Sequence, residues 1–215
     1  MVLSHMEPNF TFGEEMANTI THAMGAGYSL AALGIFAVDG VKSKNKRKLF
    51  GNVVFGIGLL ILYMNSAIFH GLEKGELKSK WRYVDHISIF VLIAASYTPI
   101  CLVVLRFSKG EYLLGAVWLL GIIGIAMKVL FFEQFLLLSM GVYLLMGWMF
   151  VFVLKEMLKN ARKEFLFWLL FGGISYSVAV YFYANDHKVR YFHMIFHILI
   201  LIGSISHSIG MLFYI

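Results

Sequence analysis

Seven stretches of about 20 apolar residues, separated by short polar connections, leave this chain few folds to choose from. They run over roughly 15–38, 51–72, 84–105, 111–132, 134–154, 164–184 and 191–215. Each is long enough for a helix to cross about 30 Å of hydrocarbon at about 1.5 Å per residue. Membrane strands need about half that length and an alternating pattern, which is missing. In lipid the backbone must satisfy its own hydrogen bonds, so the stretches read as helices. The expected fold class is all-α: a polytopic membrane protein, a seven-transmembrane-helix bundle over 15–215, with 1–14 as an N-terminal extramembrane segment. Between 111 and 154 the only break is KVLFFEQ (128–134). A single helix there would be twice the length a bilayer needs, so a tight turn is expected.

Composition agrees with this reading. Of 215 residues, 60% are hydrophobic and 14% charged, and the mean hydropathy is +0.79. A soluble domain of this length could not bury so much apolar surface. The pI of 9.3 does not imply nucleic acid. The basic residues cluster between spans, as KSKNKRK (42–48), KSKWR (78–82) and KEMLKNARK (155–163), where they meet lipid headgroups. No nucleic-acid partner is expected. The single cysteine, Cys101, rules out an intramolecular disulfide and reads as a small buried hydrophobe. The acidic N-terminus lacks a basic segment leading into an apolar one, so no cleavable signal is expected.

Seven crossings divide the connections between two faces. The N-terminus and the 2–3, 4–5 and 6–7 connections share side A. The others and the C-terminus share side B. Side B carries 11 Lys and Arg residues and side A carries 7, a bias that places side B in the cytoplasm.

Ionisable groups inside membrane spans are costly and mark function. Span 2 ends NSAIFHG, with Ser66 and His70 one turn apart. Span 3 begins YVDHIS, with Asp85. Span 7 begins YFHMIFH, with His193 and His197 one turn apart. All three places lie near side A. Residues at i and i+4 share a helix face, so three imidazoles from two helices can meet at one level. Three nitrogen ligands suit zinc and leave a fourth tetrahedral position open, the pattern of catalytic rather than structural sites. An HxxxH pair alone also arises as helix–helix hydrogen bonders. Asp85 can ligate the metal or act as a general base on its water, and the second fits a tetrahedron already holding three imidazoles. Ser66 can donate to a substrate oxyanion, or bond back to its own helix.

Span 1 adds Glu15, Asn18, Thr19 and His22 along one face. They can support the ligands, line a water path, or simply pack. His86 points about 100° from Asp85 and is placed at a helix interface. His207 lies about 21 Å beyond His193 along the helix, too deep to share the metal. It is expected at a water cavity near side B or in a hydrogen bond within the bundle. His187 and His5 read as solvated, and Lys128 as reaching side A.

Taken together, EEMANTITH, NSAIFH, WRYVDHISIFVLIAASYTP and HMIFHILILIGSISHSIG resemble the hemolysin III branch of the progestin and adipoQ receptor family over nearly the whole chain. The resemblance implies a seven-helix bundle holding Zn2+ through His70, His193 and His197, with Asp85 and Ser66 as the family's aspartate and serine. It implies membrane lipids as partners, with a ceramide-like substrate or a free fatty acid, in a multi-pass protein of the cell (plasma) membrane that can oligomerise. The activity it implies is zinc-dependent amide hydrolysis. The alternatives are a pore-forming hemolysin and a receptor or sensor of membrane lipid homeostasis. The adiponectin receptors of this family have a cytoplasmic N-terminus, opposite to the charge bias.

Overall fold

The computed structural model describes residues 10–215, so most of the expected 1–14 segment, including His5, lies outside the described residues. Helices account for nearly everything described, and seven are long and apolar enough to cross a membrane. This is a multi-pass membrane protein. Helix α1 spans Phe12–Lys42, α2 Lys46–Gly71, α3 Glu76–Pro99, α4 Gly110–Leu130 and α5 Leu136–Gly147. Then come α6 at Leu154–Asn160, α7 at Lys163–Ala184 and α8 at Phe192–Tyr214.

Local chemistry sets the helix ends. Thr11 caps α1 in a reciprocal box with Glu14, and Asn45 caps α2 by accepting from the Arg47 and Lys48 amides. Pro99 cannot donate a backbone hydrogen bond, and the ladder after it widens into π-type turns over Ile100–Val104. Helix α2 crosses closely here, since a side chain at Gly51 would meet Pro99 Cα at 2.6 Å. The turn expected between the fourth and fifth spans is present, with α4 ending at Leu130 and α5 starting at Leu136. The fifth span runs further than the sequence pattern suggested. It continues through a 3-10 segment, Met149–Val153, into α6, so Lys155 and Lys159 are helical rather than in a loop.

Consecutive helices pack side by side, α1 on α2, α2 on α3, α3 on α4, and α7 on α8. Contacts of α5 with α7 and of α1 with α8 close the ring. The core includes Phe36, Phe55, Leu59, Phe90, Val117 and Met211. Large apolar side chains such as Leu30, Ile123, Phe152 and Phe167 face outward, as a lipid-contacting surface requires. Lys128 does not reach the surface. It is wholly buried, its Nζ 4.6 Å from the Phe132 ring centroid and without a hydrogen-bond partner among the described residues.

Candidate metal centre

At the side A end of the ring, α1, α2, α3 and α8 bring their polar residues together. His70 comes from the last turn of α2, and His193 and His197 from the first two turns of α8. One ring nitrogen from each lies within 4.8 Å of the other two. All three residues are buried.

Their hydrogen bonds fix which nitrogen faces inward. His70 Nδ1 lies 2.7 Å from Glu15 Oε2, and His193 Nδ1 lies 2.7 Å from Asp186 Oδ2. His197 Nδ1 lies 3.3 Å from the main-chain oxygen of Asn18 and 3.3 Å from Thr21 Oγ1. Carboxylates and carbonyls only accept, so each Nδ1 must carry the proton and donate it. In the neutral rings each Nε2 then keeps its lone pair. His70 Nε2 is buried with no hydrogen-bond partner among the described residues. An orphaned acceptor of this kind, beside ring nitrogens of two further histidines, is what a metal cation satisfies. The residues present fit a metal ion, and the three histidines could hold one.

Each ring is braced from outside. Glu15 also binds Lys78 Nζ at 2.9 Å, tying the first turn of α3 to α1. Phe10 packs its ring 4.9 Å from that of His193. Glu14 receives Thr11 N at 2.9 Å and Tyr191 N at 3.0 Å, so the cap of α1 also holds the first turn of α8. Tyr191 sits at φ 63°, a left-handed conformation that costs a non-glycine residue about 1 kcal/mol or more. The Glu14 bond holds it there, two residues before His193.

A cavity of about 380 Å³ opens beside the histidines. His193, His197, Asp85 and Ser66 line it, and Ser66 and Asp85 interact through their side chains. Asp85 is half-buried and lines this space. The cavity mouth carries Lys74, Lys78, Arg82 and Asp186. Its inner walls are mostly apolar, with Leu92, Ile93, Leu144 and Leu169, and it reaches Tyr176 and His207.

The Haemolysin-III related family model matches residues 10–208. The chain belongs to that family. It is 36% identical over 205 residues to the Hemolysin-3 homolog of Bacillus subtilis (strain 168), covering 95% of this chain and 96% of that protein. It is 34% identical over 202 residues to Hemolysin-3 of Bacillus cereus, covering 94% and 92%. Human Monocyte to macrophage differentiation factor is 25% identical over 159 residues, 72% of this chain and 66% of that protein. No solved structure matches the chain.

The family chain gathers the histidines expected from sequence, and Asp85 and Ser66 stand beside them. The span 1 face also converges here, though by different atoms than its pattern suggested. Glu15 uses its carboxylate and Asn18 its main chain, while Thr21, rather than Thr19, reaches His197. His22 stacks on His197 with ring centroids 3.4 Å apart. His86 is buried at a helix interface against Phe132 and also lines the cavity, and His187 is exposed. Asp186, which holds His193, was missed. Its only sequence signal was a carboxylate in the side A connection one or two turns before the HxxxH pair.

Proposed function

We propose that this membrane protein is a zinc-dependent hydrolase of lipid amide bonds, with a ceramide-like lipid as the substrate class. The observation that carries the reading is the convergence of three imidazole lone pairs at the side of a cavity that also contains a carboxylate and continues between apolar walls. Zinc held by His70, His193 and His197 would supply Lewis acidity and make water acidic enough to ionise near neutral pH. Asp85 is placed to accept a proton from the attacking water and deliver it to the amide nitrogen as the C–N bond breaks and the new C–O bond forms. The single Ser66 hydroxyl proton steadies the Asp85 carboxylate, or turns to the carbonyl oxygen as charge builds there. The apolar walls accommodate an acyl chain and exclude bulk water, and the basic mouth meets the headgroup region.

The names of the Bacillus relatives, both hemolysins, favour a second reading, a pore-forming hemolysin whose metal centre is structural. One experiment separates the two. Purified protein in lipid vesicles is assayed for bound zinc, for fatty acid released from a ceramide, and for lysis of red cells. Asp85→Asn is expected to retain zinc and to lose about 10²–10⁴-fold in hydrolysis. Unchanged hydrolysis in that variant, or lysis with no hydrolysis in the wild type, overturns the enzymatic reading. We place the protein in the plasma membrane, where such a substrate is met.

A further inference from the structure

On its cavity side, α7 omits a side chain that its packing would allow. Gly173 lines the cavity and is half-buried, yet a side chain there would meet nothing within 4 Å. Its neighbour Gly172 differs. A side chain at that position would meet the His207 ring at 2.4 Å, so helix contact demands glycine there. Gly27, Gly34, Gly115 and Gly141 would also admit a side chain freely, but they are exposed and do not line this cavity. Glycine inside a helix is less stable than alanine, so neither propensity nor packing accounts for Gly173.

The cavity runs past Gly173 in both directions. Ser177 lies one turn nearer side A and Leu169 one turn deeper, on the same helix face, and both line it. Ser177 accepts from Trp148 Nε1 at 3.0 Å, which directs this face at the fifth span. At the deeper level His207 also lines the cavity, and its Nε2 donates to the Leu169 main-chain oxygen at 3.2 Å. The helices set the depth. Tyr183 packs its ring 5.8 Å from that of His193, and Gly173 lies ten residues, about 15 Å, further along α7. Helix α8 gives a similar level. A side chain at Gly172 would meet the main-chain oxygen of Gly203 at 3.0 Å, and Gly203 lies six residues, about 9 Å, beyond His197.

We infer that Gly173 sets the length of acyl chain the cavity accepts, by leaving open the space through which the far half of the chain passes. The inference rests on the reading of the cavity as an acyl site and gives that site a preference for long chains. An extended chain advances by about 1.2 Å per bond, taking three bonds per roughly 3.3–3.6 Å as in extended backbone. The distance of about 9–15 Å from the histidines to Gly173 then corresponds to about eight to twelve bonds. A decanoyl chain ends about level with Gly173, and a palmitoyl chain passes it. A bulky side chain at this position obstructs the longer chain far more than the shorter.

The test measures binding of decanoic and palmitic acids to the full chain in detergent. Each variant is compared with the wild type, so that partition of the acids into micelles cancels. Burial of each methylene is worth about fourfold in affinity. Gly173→Leu is expected to lower the preference for palmitic over decanoic acid by about tenfold or more, and Gly173→Ala by about threefold. Gly115→Leu, on the outer face of α4, should keep the preference of the wild type. An unchanged preference in Gly173→Leu, or an equal fall in Gly115→Leu, overturns the role of Gly173 and leaves the acyl cavity standing. Failure of palmitic acid to bind the wild type overturns both. Should Gly173→Leu not fold, Gly173→Ala decides, and an unchanged preference there overturns the inference.

Discussion

Asp186 offers the sharpest test of how the candidate metal centre would be held. Its carboxylate sits 2.7 Å from His193 Nδ1, and both residues are buried. A charge-assisted hydrogen bond of this kind contributes about 1.5–3 kcal/mol. It also sets the tautomer and orientation of the ring. Removing such a partner from a metal-ligating histidine typically weakens metal binding by about 10–100-fold, or about 1.4–2.7 kcal/mol. Asp186→Asn leaves an amide oxygen that can still accept, without the charge, so its loss should fall near tenfold. Asp186→Ala leaves nothing and should approach a hundredfold. Asn18→Ala is the control. His197 is held by the main-chain oxygen of that residue, which the substitution keeps. It should therefore bind zinc within about threefold of the wild type. Zinc dissociation constants come from competition with a chromophoric chelator at fixed pH, beside His193→Ala, which should abolish binding. If Asp186→Ala holds zinc as tightly as wild type while His193→Ala does not hold it, the bracing argument is wrong. An Asn18→Ala loss as large as that of Asp186→Ala would refute the assignment of the contact to the backbone.

Two further outcomes concern stability. Glu14→Gln weakens the α1 cap and the grip on Tyr191 together, and should lower stability by about 1–2 kcal/mol, read as a drop in the thermal midpoint of the solubilised protein. Lys128→Met removes a buried ammonium without a hydrogen-bond partner among the described residues, and should leave the midpoint unchanged or raise it by the equivalent of about 1–4 kcal/mol. A clear fall would mean that the ammonium contributes something its surroundings do not reveal.

Much of this was legible before any coordinates. Helix number and approximate length follow from hydropathy, because a bilayer imposes one thickness on every crossing. The meeting of His70, Asp85, His193 and His197 follows from counting crossings, provided KVLFFEQ turns the chain. The rest depends on facts a linear pattern does not carry. Asn18 acts through its carbonyl, which every residue possesses, so no residue type announces it. Asp186 lies in a connection, where carboxylates are ordinary. Whether a buried lysine reaches the surface depends on what packs around it, and Lys128 ends against the Phe132 ring, which Arg82 also meets. The π-type turns follow Pro99, and nothing in the linear pattern marks how the ladder re-forms beyond a proline.

The ring of helices closes only when the final helix docks against the first, and two of the three histidines ride on that helix. A nascent chain would expose His70 long before His193 and His197 are made. Metal loading would thus report on completed synthesis and topology, and a truncated or misinserted product would remain unable to take up an ion.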